Sequence, residues 1–276
     1  MSGGRDGIRT HDPGVANAVL SQLSYSPTTA IIITIYQMLS HEITTKIRRM
    51  RRDWEARARQ NARYFVATGQ EQWSDEEFWR SGRVVLEEEV LSDLTNICQG
   101  KDPKSMKVLE IGCGAGRVTR ALAEYFGQVY AVDISAEMVR QARRAVAGFS
   151  NARVFRNNGK DLRVVRDCWW DRFGSRAPQI DFAFSCLVFQ HIPSLEVIES
   201  YVRETNRLLR PGALFKFQVL GSQEAEPDLN GSWVGVPFSE AGARSMAERC
   251  GFEMRHHYGA GDQYYWLWFF KRESPA

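Results

Sequence analysis

The sequence predicts an α/β fold, in which a seven-stranded, mostly parallel, doubly wound sheet ends in a C-terminal antiparallel hairpin and carries an N-terminal helical cap. From Lys107 onward, short β-rich runs alternate with helical stretches, which is the pattern of a parallel sheet with crossover helices. The last two β-rich runs are joined by a glycine-rich turn at 259–262, which suits a hairpin. Residues 41–100 show only helical patterns and therefore predict the cap.

The chain is expected to divide into three parts. Residues 1–40 are predicted as a disordered or spurious extension, residues 41–100 as the helical cap or lid, and residues 101–273 as the α/β domain. Gly4–Pro13 and Ser21–Pro27 resemble the peptide obtained when a bacterial transfer-RNA gene is translated upstream of a misplaced start codon, so that Met38 or Met50 would be the working start. The alternative is an authentic but unstructured tail.

Three helical segments are predicted in the cap. Ile43–Thr68 is rich in good helix formers. Ser74-Asp-Glu-Glu77 has the spacing of a capping box and predicts a second helix that begins at Ser74 and continues through Trp79. Apolar residues then recur near helical spacing from Val84 to Ile97 and predict a third segment.

The α/β domain is built from short runs whose apolar character predicts strands buried on both faces. The predicted strands are Val108–Ile111, Val129–Val132, Val154–Arg156, Ile180–Cys186, Ala213–Leu220, Glu253–Tyr258 and Gln263–Lys271. The predicted helices are Arg117–Tyr125, Ala136–Ala147, Leu195–Leu209, which Pro211-Gly212 stops, and Phe238–Arg249, which Gly251 stops.

Composition excludes several other classes of protein. The net charge of +3 gives no whole-molecule case for a nucleic-acid partner, although basic residues are concentrated between Lys46 and Arg63. The 5 cysteines are odd in number and never form a Cys-x-x-Cys pair, so neither a disulfide framework nor a metal site is expected, and a reducing cytoplasm is the predicted location. The longest apolar run, Ala30–Tyr36, falls short of the roughly 18 residues that cross a bilayer, so no membrane association is expected.

The chemistry is concentrated in a glycine-rich turn. Val108–Gly116 places a buried strand directly before glycines at Gly112, Gly114 and Gly116 and a following helix. Glycines let the backbone approach a ligand closely, and the carboxyl end of such a strand faces the crevice where ligands bind. Dehydrogenases that bind pyrophosphate favour Gly-x-Gly-x-x-Gly, whereas Arg117 stands here in place of the last glycine.

With Glu110, which opposes a phosphate and suits a cationic ligand, this segment resembles motif I of class I S-adenosylmethionine-dependent methyltransferases. The resemblance implies a Rossmann-like methyltransferase domain at 101–273, with S-adenosyl-L-methionine as cofactor. Asp133, at the end of the next strand, matches the family's acidic residue that bonds both ribose hydroxyls, since a carboxylate offers two acceptors. Ile134 and Met138 resemble the apolar positions that flank the adenine.

Two further segments extend the resemblance to about Lys271. Asn158 matches the position that reads the adenine amino group, where the family usually has Asp, and Asp161 is a competing assignment. Asp181–His191 resembles motif IV, whose strand end meets the methionine part of the cofactor, and Arg207–Leu214 resembles the turn that follows. The cofactor-binding residues implied in this way are Glu110, Gly112, Cys113, Gly114, Gly116, Asp133, Ile134, Met138, Asn158, Gly159 and Cys186.

Each assignment has a structural alternative. Asp133 alone could cap the following helix. Cys113 and Cys186 are better interpreted as small buried residues than as nucleophiles. His191, the histidine nearest the expected reacting centre, is a candidate general base or else a loop-bonding residue. Two aromatic groups could line a pocket or pack the core: Trp73, Phe78 and Trp79 in the cap, and Trp233, Tyr264, Tyr265 and Trp266 near the C-terminus.

The leading functional hypothesis is methyl transfer to an oxygen or nitrogen of a small molecule. Leu187–Pro193 stands where amino-group methyltransferases carry Asn-Pro-Pro-Tyr or Asp-Pro-Pro-Tyr, which disfavours adenine and glutamine as acceptors. One alternative is an RNA or protein methyltransferase that docks through the arginine-rich segment. Others are a non-catalytic interaction module of the same fold and, third, a nicotinamide-dependent dehydrogenase, against which the glycine spacing argues.

Overall fold

The computed structural model describes residues 27–167, 179–222 and 231–273, with side chains from residue 41 onward. Of the predicted N-terminal extension, residues 1–26 lie outside the described residues, and residues 27–40 are helical in their backbone. Among the described residues, no helix is both long and apolar enough to cross a membrane.

The cap consists of helices α1 (Pro27–Val66), α2 (Asp75–Glu89) and the short α3 (Leu94–Cys98). Non-helical dihedral angles at Asn61 (φ −163°, ψ 85°) divide α1 into two helices across a kink. The predicted capping box is confirmed at α2, because the Glu77 amide donates to Ser74 Oγ (3.3 Å) and the Ser74 amide donates to Glu77 Oε2 (3.2 Å).

The third predicted helical segment is not a separate element. Residues 84–86 belong to α2, and the chain then passes through a 3₁₀ turn, Leu91–Asp93, into α3. Nothing breaks the helix between Trp79 and Val84, because Gly82 sits inside α2 as a packing residue. The absence of a side chain there lets α2 approach the backbone of the helix that begins at Arg117.

We expect Gly82→Ala to destabilise the protein by about 2–3 kcal/mol, the cost typical of overpacking. A Cβ atom at Gly82 would lie 2.1 Å from the carbonyl oxygen of Arg117, and backbone atoms cannot yield as a flexible side chain can. Urea denaturation gives the free energy of unfolding. Gly148→Ala is the matched control, since a Cβ atom there meets nothing within 4 Å. Equal stability of the two variants would contradict this packing.

The sheet contains seven strands within the described residues, in the order β3-β2-β1-β4-β5-β7-β6. The strands are β1 Lys107–Ile111, β2 Gln128–Asp133, β3 Ala152–Arg156, β4 Ile180–Ser185, β5 Leu209–Val219, β6 Phe252–Tyr258 and β7 Tyr265–Lys271. The first five pair in parallel, while β7 is antiparallel to both β5 and β6. The predicted fold is therefore confirmed.

The helices of the domain are α4 (Arg117–Tyr125), α5 (Ala136–Ala145), α6 (Leu195–Leu208) and α7 (Glu240–Arg249). Strand β5 begins earlier than predicted and contains Pro211 and Gly212. The register against β4 shifts between Ile180 and Phe182, and this bulge gives room for the proline and for the positive φ (73°) of Gly212.

The order of the strands places the functional crevice. The chain adds β2 and β3 on one side of β1 and adds β4 and β5 on the other, so the winding reverses between β1 and β4. Ligands of open α/β sheets bind at the carboxyl ends of the strands beside such a reversal. Here those ends are Ile111, Asp133 and Ser185.

Candidate functional site

The loop after β1 is a tight backbone turn whose conformation requires glycine. Gly112, Gly114 and Gly116 have φ values of 77°, 52° and 88°, in the left-handed region that glycine occupies without strain. The amides of Gly112 and Cys113 donate to the carbonyl oxygen of Val132 (2.8 and 3.0 Å), which ties the loop to β2.

Side chains from two other segments press against this loop. A Cβ atom at Gly112 would lie 2.2 Å from Val188 Cγ2, and one at Gly114 would lie 2.5 Å from Val66 Cγ1. Val188 follows β4 and Val66 ends α1. The loop therefore accepts close contact from the cap on one side and from the chain after β4 on the other.

Asp133 ends β2 and lies beside the glycine loop. Its Oδ2 accepts from the amide of Gly114 (3.0 Å) and its Oδ1 accepts from the amide of Ser135 (2.9 Å). Burial raises the pKa of Asp133 to about 6, and these backbone hydrogen bonds oppose the rise. The carboxylate thus joins two loops and retains lone pairs for two neighbouring donors on a ligand.

Glu110, on β1, lies on the same wall of the site and is 4% exposed. Its Oε2 accepts from Thr119 Oγ1 (2.5 Å). Burial raises the pKa of Glu110 to about 7, while the Thr119 hydrogen bond and the charge of Arg117 lower it. The carboxyl group is therefore poised between its two protonation states near neutral pH and would gain from a cationic partner.

We expect Glu110→Gln to stabilise the ligand-free protein at pH 8 and to leave stability unchanged near pH 4. The pKa of Glu110 is raised from 4.5 to about 7 in the folded protein. The free energy of unfolding is therefore at its full value, as far as this group is concerned, below pH 4.5, and it falls as pH rises through 7. At about 1.4 kcal/mol per unit, the gain at pH 8 reaches about 3 kcal/mol. Denaturant titrations at both pH values test this. The exposed Glu87→Gln is the control, and a pH-independent difference for Glu110→Gln would contradict the expectation.

The predicted site residues meet around one cavity, whose empty space is about 830 Å³ out to its mouth. Glu110, Gly112, Cys113, Gly114, Asp133, Ile134, Met138 and Cys186 line it. Gly116 and Gly159 do not. A Cβ atom at Gly116 would meet Ala142 Cα at 2.9 Å, and one at Gly159 would meet Ile134 Cδ1 at 2.5 Å, so these glycines serve close packing.

Asn158, the residue predicted to read the adenine, does not line the cavity. Asn158 is exposed, and its Oδ1 accepts from the amides of Lys160 and Asp161 in a turn. Asn157 lines the cavity instead. Its Nδ2 donates to Tyr201 Oη (2.7 Å), whereas its buried Oδ1 has no hydrogen-bond partner in the part of the chain that the structure describes. An acceptor buried without a donor fits a ligand N–H group.

The two cysteines that line the cavity are Cys113, which is buried, and Cys186, which is partly buried. Burial raises the pKa of Cys186 to about 12 and raises that of Cys113 well above its usual range. Both thiols are therefore protonated at neutral pH and are poor nucleophiles. This agrees with their interpretation as small residues that line the cavity.

His191 lies outside the cavity lining, in a buried chain of hydrogen bonds. Gln190 Nε2 donates to His191 Nε2 (3.1 Å), so that His191 Nδ1 donates to the carbonyl oxygen of Trp233. Burial lowers the pKa of His191 to about 4, so the ring is neutral at neutral pH. Both ring nitrogens are occupied, and its role as a general base remains a prediction that this placement does not support.

The same chain of hydrogen bonds reaches the loop after β4. Gln218 Nε2 donates to Gln190 Oε1 (2.7 Å), and Gln218 Oε1 accepts from the amide of Leu187 (3.0 Å). Leu187 has a φ of 60°, which is uncommon for a residue with a side chain. The network therefore holds the backbone of a cavity-lining residue in a strained conformation.

Helix α1 roofs the cavity with Met50, Trp54, Phe65 and Val66. Neither spacing nor composition in the sequence indicates which face of α1 meets the site, so the sequence does not predict this roof. The aromatic residues that the sequence singles out differ in their surroundings. Trp233 lies 4.8 Å from His191 and 6.3 Å from Trp54 between ring centroids, beside the roof. Tyr265 and Trp266 of the same C-terminal group lie on β7 and are buried in packing, as is Phe78 of the cap group on α2.

Polar contacts attach α1 to the domain. Glu55 Oε2 accepts from Ser135 Oγ (2.8 Å) and from the amide of Glu137 (3.1 Å), at the first turn of α5. Arg51 donates to the carbonyl oxygen of Asn158 (2.6 Å), and Arg57 donates to Ser232 Oγ (3.0 Å). Much of the basic segment is thus engaged with groups of this chain.

The sequence is similar to those of known methyltransferases. Residues 108–212 match a family model described as a methyltransferase domain. A curated relative, the malonyl-[acyl-carrier protein] O-methyltransferase of Enterobacter lignolyticus (strain SCF1), is 31% identical over 130 residues. These residues are 47% of this chain and 45% of the relative, so the match spans less than half the length of either protein.

Solved structures extend the likeness in fold over most of the chain. The magnesium protoporphyrin IX methyltransferase (ChlM) of Synechocystis PCC 6803 with bound SAM matches with a TM-score of 0.56 at 16% identity, covering 82% of this chain and 97% of that chain. The DhpI–SAH complex matches with a TM-score of 0.54 at 18% identity, covering 83% and 98%. At these identities the likeness concerns the fold.

Proposed function

We propose that this protein, whose residues 108–212 match a family model described as a methyltransferase domain, transfers a methyl group from S-adenosylmethionine to an oxygen or nitrogen of a small molecule. The family model and the curated relative agree with the predicted family and enzyme class, and a structure of the same fold holds the predicted cofactor, S-adenosylmethionine. The acceptor and the residues that act on it are the proposal. The observation that carries it is the roof that α1 places over the cofactor loop.

The polar groups around the cavity fit this cofactor. The orphaned Asn157 Oδ1 suits the adenine amino group, Asp133 suits the ribose hydroxyls, and the close-packed glycine loop suits the approach of backbone to the ligand. Glu110 suits the positive charge of the amino-acid end. When bound, the cofactor supplies a methyl group on a sulfonium that already carries its leaving group.

The protein's part in such a reaction is to align the acceptor and to exclude water. Trp54, Phe65 and Leu187 line the cavity with apolar surface. In this proposal residues 41–100 act as a lid, and α1 closes the acceptor side against solvent. His191 acts through Gln190 and Gln218 to hold Leu187 in place and does not touch the acceptor.

A small acceptor is favoured over RNA or a protein by two features. The cavity is roofed by residues of α1, and Arg51, Arg57 and Arg59 of the basic segment donate to groups of this chain. A long polymer would have to displace α1 to reach the loop. By its name, the curated relative is an O-methyltransferase of malonyl-[acyl-carrier protein], so free acyl carboxylates are the first small acceptors to screen.

Two measurements test the proposal. Calorimetry with S-adenosylhomocysteine asks whether the domain binds the nucleoside. Incubation with cofactor labelled in its methyl group, together with metabolite extract, bulk RNA or bulk protein in separate reactions, asks which fraction gains the label. Label in a small molecule supports the proposal. Label only in RNA or protein would replace it with the docking alternative, and binding without any transfer would favour a non-catalytic module.

A further inference from the structure

A buried cation faces the cavity from the start of α4. Arg117 is 7% exposed and lines the cavity together with Glu110 and Cys186. Its Nη1 donates to the carbonyl oxygen of Ser81 (3.1 Å). No carboxylate within the described ranges 41–167, 179–222 and 231–273 lies within the 4.0 Å of an ion pair with this guanidinium.

This placement is unfavourable without an anion. A buried charge is stabilised only when it is paired and hydrogen-bonded, and one carbonyl oxygen does not neutralise a guanidinium. The positive end of the α4 helix dipole adds repulsion, since cations are disfavoured in a first helical turn. Consistent with this, burial lowers the pKa of Arg117 below its ordinary value.

The backbone at the start of α4 is fixed in place. Gly82 of α2 packs directly on the carbonyl group of Arg117, and this contact fixes the start of α4. The hydrogen bond from Arg117 Nη1 to the carbonyl oxygen of Ser81, also on α2, holds the guanidinium beside the cavity. Opposite charges of Glu110 and Arg117 then lie on one wall, an arrangement that matches a zwitterion.

We propose that Arg117 binds the α-carboxylate at the amino-acid end of the cofactor, while Glu110 faces the ammonium group. A guanidinium offers a planar pair of donors that fits a carboxylate in two parallel hydrogen bonds. The inference rests on the proposed function, because it assumes that the cavity takes this cofactor. It adds a recognition residue that the glycine loop and Asp133 do not provide.

The test compares two ligands that differ in one group. S-Adenosylmethionine and its decarboxylated form share the adenine, ribose, sulfonium and ammonium groups, and only the first has the carboxylate. We expect Arg117→Met to weaken binding of S-adenosylmethionine about 10- to 100-fold in calorimetry, the range for a lost charge-assisted pair. Binding of the decarboxylated ligand should change less than about 3-fold, and Arg117→Lys should lie between, since it keeps the charge without the fork.

Controls separate the outcomes. Arg120→Met removes a cation from the same helix, where Arg120 lies over the Trp79 ring, and should leave both affinities unchanged. Equal losses for both ligands in Arg117→Met, or no loss for either, would overturn the inference while leaving the proposed function intact. Failure of the unaltered protein to bind either ligand would overturn the proposed function and the inference with it.

A second readout needs no ligand. If the cation is uncompensated in the free protein, Arg117→Met should raise the melting temperature of the ligand-free protein while reducing the further rise that S-adenosylmethionine causes. A lower melting temperature without ligand would contradict the assignment, because it would give Arg117 a structural role.

Discussion

Gly114→Val is expected to abolish detectable binding of S-adenosylhomocysteine, a loss of about 1,000-fold or more. The residue has a φ of 52°, where a β-branched side chain is strained, and its Cβ position lies 2.5 Å from Val66 Cγ1. A valine must therefore displace either α1 or the loop whose amide donates to Asp133. Calorimetry measures the affinity, and far-ultraviolet circular dichroism checks the fold.

The control for backbone strain is Gly100→Val. Gly100 also has a positive φ (82°) but is exposed, and a Cβ atom there meets nothing within 4 Å. This variant carries the conformational cost of about 1–2 kcal/mol without blocking the cavity. A Gly114→Val protein that binds within about 3-fold of the unaltered protein would show that the loop does not form the cofactor site.

Asp133→Ala is expected to weaken binding of S-adenosylhomocysteine by about 100-fold or more. Hydrogen bonds to a charged acceptor contribute roughly 1.5–3 kcal/mol each, and two would be lost to the ribose. The change also removes the acceptor of the Gly114 and Ser135 amides, so the two loops lose their common anchor. Calorimetry at pH 8 is the appropriate measurement, because the pKa of about 6 leaves the carboxyl group ionised there.

Asp161→Ala is the matched control for this carboxylate. Asp161 pairs with Arg163 in a turn and does not line the cavity, although its position in the sequence makes it a competitor of Asn158. Its loss should change affinity less than about 3-fold. Comparable losses in the two aspartate variants would contradict the assignment of Asp133 and would move the nucleoside toward the end of β3.

The sheet and the glycine loop could be predicted because their determinants are local. A strand buried on both faces is a continuous apolar run, and a turn with three positive φ values needs glycines at 112, 114 and 116, so each is visible in a few adjacent residues. Helix α4 begins and ends where the pattern places it, at Arg117 and Tyr125. Such features depend little on what packs against them.

The features that sequence alone could not place depend on contacts between distant segments. Asn157 and Asn158 are adjacent and chemically identical, and only the register of β3 against β2 decides which one is buried. The roof formed by α1 depends on the tertiary contacts of Glu55 and Arg57 rather than on helix propensity. In the sequence, Arg117 is only the first residue of a predicted helix. Its burial without a carboxylate partner is visible only in the structure.

The contact of Glu55 with Ser135 has a thermodynamic consequence for the whole cap. Ser135 also donates its amide to the Asp133 carboxylate, so one residue joins the helix over the cavity to the acceptor assigned to ribose. Where nucleoside binding and docking of α1 stabilise each other, the coupling free energy between them is the same in both directions. A molecule that binds the outer surface of α1 and shifts its docking therefore changes the affinity for the nucleoside. The nucleoside must then change the affinity for that molecule by the same factor.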